Sequence, residues 1–355
     1  MTQSEKMGGL QSCKSLVGKL VDWGRRSTIV RILPGLIISV VSLVIVLYFV
    51  DFHQLLEALR LANYGYVALF FIFSLIWLFV RAIVWRTLLQ EKATTSQVFL
   101  TINEGYLLNN IFPFRLGEVG RSFLLSRKAN LQFLQVLSTI VVERILDVAM
   151  AAGLLLGSLP FVVGASWSLQ AAIITISLVL IGLGVLFLLA RNRDWAIIQF
   201  EKIAGRWPIL LKVGSKQLDA FLAGLAALTD GRRFLCVIAL MILNWTIAVI
   251  QYYLLILAYF PNAKLLWAVF SLGVTALGIA VPSSPGAVGV LELSMVGALS
   301  LFGLNPSTSL AVAITAHLAN YLVTGAIGAF ALFRDGLSLT GIYKGVRSVS
   351  SSDTG

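Results

Sequence analysis

The sequence predicts an all-α polytopic membrane protein, a bundle of about six full spans plus two re-entrant helical hairpins. Of its 355 residues, 58% are hydrophobic and only 12% are charged, and the mean hydropathy is +0.91. A soluble domain is nearer half apolar and a quarter charged. The formal net charge of +11 comes from basic residues in short loops between apolar segments. That is the positive-inside distribution of a membrane protein, and it argues against nucleic acid as a partner.

Six apolar segments have the length of a membrane span. They run over about 33–50, 66–89, 136–163, 171–190, 234–260 and 310–333. The basic loops between them predict a multi-pass protein of the inner cell membrane with both termini in the cytoplasm. We therefore expect a basic cytoplasmic arm over residues 1–30, a transmembrane domain over 31–335 and a cytoplasmic tail over 336–355.

Two further segments should lie along the membrane surface. Residues 51–63 place leucines at helical spacing, which predicts a short amphipathic helix on the outer side. Residues 191–233 interleave eight basic residues with tryptophans and leucines. This composition is typical of cytoplasmic interfacial helices.

The first irregular segment is 103–121, NEGYLLNNIFPFRLGEVGR, which lies between apolar segments. Irregular backbone and ionisable side chains at membrane depth are tolerated only where protein or a watery cavity surrounds them. Because both flanks are basic, the segment predicts a re-entrant hairpin from the cytoplasmic side, broken by Pro113, Gly117 and Gly120. Its candidate site residues are Glu104, Asn109, Asn110, Arg115, Glu118 and Arg121.

The second irregular segment, PSSPGAVGVLE at 282–292, separates two short apolar runs and predicts a hairpin from the outer side. The residues expected to break it are Pro282, Pro285, Gly286 and Gly289. Both breaks share the spacing P-x3-G-x2-G. With opposite sides of insertion, this resembles the inverted repeat of secondary transporters, whose broken helices meet near the midplane and form the substrate site.

Charged residues inside two spans predict an intramembrane network. Glu143 and Asp147 share a helix face at i,i+4 spacing. Two carboxylates there would repel each other unless a cation or water lies between them. Arg144, Arg81 or a basic residue of the 115–128 segment is suited to that role.

The pattern N-E-x(4)-N-N-x(2)-P-x-R-x-G-E-x-G-R at 103–121 resembles the lysylphosphatidylglycerol synthase transmembrane-region family, a flippase-like domain. Segments 282–292 and 143–147 match two further signatures, and the resemblance covers about residues 30–335. It implies a domain proposed to move a phospholipid between leaflets. Some members are fused to a soluble aminoacyl-transferase domain. Only a short tail follows Phe333 here, so synthase activity is not expected. One departure is Ala287, where the family often has a second consecutive glycine.

A lipid flippase is the leading functional hypothesis, because a headgroup can cross only by exchanging water for polar groups along a path. The expected path residues are Glu104, Asn109, Asn110, Arg115, Glu118, Arg121, Ser283, Ser284, Glu292, His317 and Asn320. Guanidinium groups bind phosphate bidentately, and the glutamates suit a cationic aminoacyl group or a coupling proton. An anionic or aminoacylated phospholipid is therefore the expected substrate, with no cofactor or metal.

Other interpretations stay open on the sequence alone. Arg115 with Glu118 suits a local ion pair, the charges of 143–147 a structural network, and His317 a packing role. The chain is alternatively an enzyme acting on a lipid-linked substrate, with Glu104, Glu118, Glu143 and Asp147 as an acid–base or Mg²⁺ site. As a third alternative, it anchors a separate lipid-modifying enzyme at 191–233. A homodimer is a further open partner.

Overall fold

The computed structural model describes residues 28–112, 116–163, 168–204, 208–281 and 283–336. All regular structure in these ranges is helical, which confirms the all-α fold class. Most of the N-terminal arm, nearly all of the C-terminal tail, and Pro113, Arg115 and Pro282 lie outside the described residues. Six helices are long: α1 (Thr28–Phe49), α3 (Tyr64–Leu88), α6 (Phe133–Val163), α7 (Ser168–Arg191), α10 (Gly231–Tyr259) and α13 (Pro306–Arg334). They coincide with the six predicted spans.

Within the described ranges, four helices are long and apolar enough to cross a membrane: α3, α6, α10 and α13. Helix α1 bends by 86° into the next helix, and the bent pair gives a fifth candidate if it counts as one span. The multi-pass membrane character predicted from hydropathy is confirmed.

Shorter helices connect or insert between the long ones. They are α2 (Phe52–Leu61), α4 (Thr95–Ile111), α5 (Leu116–Lys128), α8 (Arg193–Ala204), α9 (Pro208–Gly224), α11 (Leu265–Gly278) and α12 (Val290–Ser300). Asp51 begins α2 because its carboxylate accepts hydrogen bonds from the amides of His53 and Gln54. A short 3₁₀ segment, Pro285–Ala287, lies between α11 and α12.

Two helix pairs, α4–α5 and α11–α12, each return to the end of the bundle from which they start. The Gln97 amide at the start of α4 donates to the carbonyl of Lys128 at the end of α5, at 3.0 Å. In the second pair, the rings of Trp267 and Phe302 lie 5.9 Å apart. Each pair is therefore an antiparallel hairpin.

The bases of these hairpins lie at opposite ends of α13. Helix α13 begins at Pro306, four residues after Phe302, and Asp335 at its other end pairs with Lys128 at 2.5 Å. A helix of 29 residues is about 43 Å long. The tips of the hairpins consequently point toward each other from opposite ends.

Gly117 and Gly120 do not break the first hairpin, and that prediction is wrong. Both lie inside the continuous helix α5. A Cβ atom at Gly117 would overlap the carbonyl oxygen of Gly105 on α4, and one at Gly120 would lie 2.5 Å from Leu108. These glycines let two helix backbones approach closely.

The segment 191–233 forms helices as predicted, but part of it packs inside the bundle. Leu222, Leu225 and Leu228 are buried in the main hydrophobic core. A Cβ atom at Gly224 would overlap the hydroxyl of Ser138 on α6. This segment is therefore not merely adsorbed to a membrane surface.

Candidate functional site

A cluster of charged side chains lies where α3, α5 and α6 meet. Arg81 on α3 lies between the two carboxylates of α6, with Nη1 2.7 Å from Asp147 Oδ1 and Nη2 2.6 Å from Glu143 Oε1. Glu143 follows the start of α6 by ten residues, about 15 Å along the helix. That is roughly half of a ~30 Å hydrocarbon core. The guanidinium therefore separates two carboxylates that would otherwise repel each other deep in the bundle.

Two more arginines complete the cluster. Arg144 Nη2 lies 2.6 Å from Glu143 Oε1 and 2.9 Å from Asp147 Oδ2, and its Nη1 lies 3.6 Å from Glu118 Oε1. Arg121 Nη2 lies 3.2 Å from Glu143 Oε1. Among the described residues, three guanidinium groups thus meet three carboxylates, so the cluster is close to neutral.

Several buried polar atoms of this cluster have no hydrogen-bond partner within the described structure. They are Arg81 Nε, Arg121 Nε, Arg121 Nη1, Arg144 Nε and Glu143 Oε2. Burying an unsatisfied polar atom costs about 1–3 kcal/mol, and more for charged groups. These atoms are therefore available to water or a polar ligand that reaches them.

A cavity of about 300 Å³ lies beside the cluster, among α3, α6, α10, α11 and α13. Most of its wall is apolar or aromatic, including Leu78, Trp77 and Leu277, and one side is formed by Arg81, Asp147 and Arg144. Such a space accommodates an acyl chain better than a headgroup.

A second cavity of about 180 Å³ lies between the tips of the two hairpins. Its wall is more polar, and the residues that form it come from both breaks, from α6 and from α13. They include Asn109, Asn110, Glu118, Arg121, Arg144, Ser283, Ser284, Gly286, His317 and Asn320. The hairpins therefore build one polar chamber together.

The two cavities adjoin, because five residues line both: Tyr106, Arg144, Ile279, Leu291 and Asn320. Arg144 is the charged member of this set, and 31% of its side chain is exposed. An apolar chamber joined to a polar one at an arginine matches the chemistry of an amphiphile with an anionic headgroup.

The break of the second hairpin depends on residues with positive φ. Gly286 has φ 67°, and a Cβ atom there would overlap the hydroxyl of Tyr321 on α13. Gly289 has φ 85° and precedes α12. Ala287, the departure noted in the sequence, has φ 59°, a conformation that favours glycine. Pro285, Gly286 and Gly289 thus lie at the break, as expected.

Helix α13 holds this break through His317. Its Nδ1 lies 2.6 Å from Glu292 Oε1, and its Nε2 lies 2.9 Å from the carbonyl oxygen of Gly286. The other oxygen of Glu292 accepts the amide of Gly289 at 2.6 Å. Helix α1 supports the same loop, because the Ser284 amide donates to the hydroxyl of Ser39 at 3.0 Å.

Glu104 lies apart from both cavities. It is fully buried and paired with Lys128 Nζ at 2.6 Å, at the base of the first hairpin. Lys128 also binds Asp335. Burial alone would raise the pKa of Asp335, but Lys128 and Arg334 hold it below its usual value. This trio ties α4, α5 and the end of α13 together.

The structure brings most predicted path residues to one chamber. Eight line it: Asn109, Asn110, Glu118, Arg121, Ser283, Ser284, His317 and Asn320. Glu292 lies behind His317, Glu104 lies elsewhere, and Arg115 is outside the described residues. Sequence reasoning missed Tyr106, which lines both cavities and stacks on Trp77 with centroids 6.2 Å apart. Its position inside the first signature was the available signal.

Comparison with known proteins gives the family. The family model described as the lysylphosphatidylglycerol synthase TM region matches residues 32–328. The chain belongs to this family. The match spans every element of the site, from α3 to the Asn320 turn of α13.

Relatives of the chain include archaeal membrane proteins. A UPF0104 membrane protein of Methanocaldococcus jannaschii is 28% identical over 64% of this chain and 93% of its own length. A second one from the same organism is 23% identical over 84% of this chain and 93% of its own length. Glycosyltransferase AglD of Haloferax volcanii is 24% identical over 88% of this chain, which spans only 55% of AglD. No solved structure matches the chain.

Proposed function

We propose that this chain moves an anionic or aminoacylated phospholipid between the leaflets of the inner membrane, as a lipid flippase. The observation that carries the proposal is the pair of adjoining cavities, one apolar and one polar, joined at Arg144. Headgroup and acyl chains need different surroundings, and neither can enter the other's medium without a large free-energy penalty. Two adjoining cavities offer both kinds of surroundings.

In this proposal the two hairpins are re-entrant and form an inverted repeat. Their bases lie at opposite ends of α13, and their tips meet at the polar chamber. Irregular backbone at membrane depth is tolerated where it lines such a chamber. Broken helices that meet near the midplane supply the substrate sites of many secondary transporters.

The test is lipid movement by the purified full chain in liposomes that contain trace fluorescent phosphatidylglycerol, lysylphosphatidylglycerol or phosphatidylcholine. A quencher added outside the vesicles removes the fluorescence of lipid in the outer leaflet. We expect it to remove the fluorescence of phosphatidylglycerol and lysylphosphatidylglycerol faster than in protein-free vesicles. Arg144→Gln should reduce this movement at least about tenfold if it removes one phosphate contact of the kind that contributes ~1.5–3 kcal/mol. Arg193→Gln is the matched control, since Arg193 pairs with Asp219 on an exposed surface.

Two competing functions give different results in the same vesicles. The similarity to a protein named glycosyltransferase AglD favours an enzyme on a lipid-linked substrate as the second candidate. Chemical change of an added lipid, without movement, would support that enzyme. Neither movement nor product, together with a co-purifying transferase, would support a membrane anchor. Unchanged movement with folded Arg144→Gln protein would contradict the headgroup role of Arg144.

A further inference from the structure

The side chains of Glu292 and His317 meet in a geometry that requires a shared proton. His317 Nε2 faces the carbonyl oxygen of Gly286 at 2.9 Å, and a carbonyl oxygen only accepts, so Nε2 is protonated. Nδ1 and Glu292 Oε1 lie 2.6 Å apart. At that distance a proton lies between them. The pair is therefore either imidazolium with carboxylate or imidazole with carboxylic acid, and it is neutral in both forms.

Loss of that proton would leave one negative charge beside the polar chamber. The pair is almost fully buried, with side-chain exposures of 6% and 8%, and His317 forms part of the chamber wall. Glu292 also accepts a hydrogen bond from the backbone N–H of Gly289, so the backbone of the break fixes the position of its carboxylate. A buried ionisable pair that borders a chamber is a common arrangement for carrying protons in membrane proteins.

Charged and titratable groups near the pair lie in the chamber wall and on the helices packed against α13. Tyr321 stacks on His317 with centroids 4.5 Å apart. The chamber wall also contains Tyr106 from α4, Glu118 and Arg121 from α5, and Arg144 from α6. Neither α11 nor residues 34–49 of α1 contribute a charged side chain. On the other helices against α13, Arg81 of α3 faces α6 and Glu104 of α4 faces Lys128. The charged or titratable residues of α2, His53, Glu57 and Arg60, are exposed, and Tyr259 of α10 pairs with Thr315.

We propose that Glu292 and His317 together carry a proton that crosses the membrane with each anionic lipid. This inference rests on the proposed function and identifies the proton gradient as the energy source of lipid movement. An anionic phosphate in the chamber is repelled by the deprotonated pair and tolerated by the neutral one. Proton and headgroup therefore bind cooperatively, and the coupling is reciprocal. The proton comes from water on one side, sits between Nδ1 and Oε1, and leaves to water on the other side.

One proton with one singly charged lipid makes the movement electroneutral. A gradient of one pH unit is then expected to hold about a tenfold lipid asymmetry between leaflets, since ~1.4 kcal/mol corresponds to a factor of ten. A potassium diffusion potential should not change that asymmetry. The experiment uses the full chain in phosphatidylcholine vesicles with trace fluorescent phosphatidylglycerol and an internal pH-sensitive dye.

Glu292→Gln is the decisive variant, because the amide can keep both contacts. Its oxygen can accept the Gly289 amide and its NH₂ can donate to Nδ1, but no shared proton remains. We expect lipid to equilibrate without asymmetry and without proton movement. If Glu292→Gln does not fold, His317→Gln serves instead: it leaves Glu292 as the remaining ionisable member of the pair, so the lipid asymmetry should shrink rather than vanish. His53→Gln is the matched control, since His53 is exposed on α2 and should retain the asymmetry.

The outcomes separate this inference from the proposed function. Wild-type lipid movement that equilibrates fully despite the gradient, with no proton movement, would overturn the coupling and leave the flippase standing. Asymmetry that persists in folded Glu292→Gln protein would overturn the role of this pair. No lipid movement under any gradient would overturn the flippase and the coupling together.

Discussion

The three arginines of the charged cluster differ in how far they reach the cavities. The Arg144 side chain is 31% exposed, whereas those of Arg81 and Arg121 are 2% and 4% exposed. Arg121 also lies over the ring of Trp85, with 4.7 Å between its guanidinium carbon and the ring centroid. Arg81 and Arg121 are therefore held by protein on most sides. Arg144 is the arginine best placed to exchange a carboxylate for a lipid phosphate.

Arg81 should be the residue on which the stability of this cluster depends most. Arg81→Met would leave Asp147 with Arg144 as its remaining ion-pair partner among the described residues, and would remove one of three arginines from Glu143. Removing one partner of a buried ion pair typically costs about 3–5 kcal/mol. We expect a clearly lower thermal unfolding midpoint for the purified protein in detergent.

Arg193→Met is the control for that measurement. The Arg193–Asp219 pair is exposed on both sides, and such pairs contribute about 0–1 kcal/mol. Equal unfolding midpoints for the two variants would contradict a structural role for Arg81. A near-normal midpoint with abolished lipid movement would instead assign Arg81 to the transport path.

The first hairpin depends on close contact between α4 and α5. Gly117→Ala would place a methyl group against the carbonyl of Gly105 and 2.6 Å from Asn109 Oδ1. Overpacking of this kind typically costs about 1–3 kcal/mol. Because Asn109 also accepts the Gly117 amide at 2.8 Å, the tip should loosen. We expect lower stability and faster proteolysis at the tip.

Gly297→Ala provides the matched control for the hairpin. Gly297 lies inside α12 with no atom within 4 Å of its would-be Cβ. Alanine is the better helix former by about 1 kcal/mol, so this change should be neutral or stabilising. If Gly117→Ala were equally harmless, the close packing of α4 on α5 would be refuted.

The side of the membrane from which each hairpin enters can be tested by labelling single cysteines in a background without Cys13 and Cys236. Gln132→Cys follows α5, Asn262→Cys precedes α11, and Leu301→Cys follows α12, all at exposed positions. We expect labelling at 132 from the cytoplasm, and at 262 and 301 from outside. Labelling of 301 from the cytoplasm would mean that α11–α12 crosses the membrane.

Hydropathy predicted the architecture well because long apolar runs in a membrane protein have few alternatives to a helix. The second break was located correctly by Pro285 and Gly286, because a proline and a glycine with positive φ both interrupt a helix. Gly117 and Gly120 were misread, because a glycine that breaks a helix and one that lets two helices touch look alike in sequence. The pairing of Glu104 with Lys128 and its link to Asp335 depend on contacts across 24 residues and with the far end of the chain.

The separation of an apolar cavity from a polar one could not be predicted, since Trp77 and Leu277 look in sequence like core residues. The apolar and the polar cavity together predict how lipid movement depends on the length of the acyl chains. If acyl chains occupy the apolar one, a large side chain there should hinder long chains more than short ones. Ala276 lines that chamber, which has a volume of about 300 Å³.

Ala276→Phe should therefore slow the movement of long-chain phosphatidylglycerol by roughly tenfold, if it excludes two methylenes at ~0.8 kcal/mol each. A short-chain analogue with the same headgroup should be affected much less. Ala326→Phe, at an exposed position of α13, is the control for added volume. The measurement is the initial rate of lipid movement in liposomes, for each variant and for both chain lengths. Equal slowing of both chain lengths would mean that the apolar chamber does not hold acyl chains, and that the headgroup crosses with its tails outside the bundle.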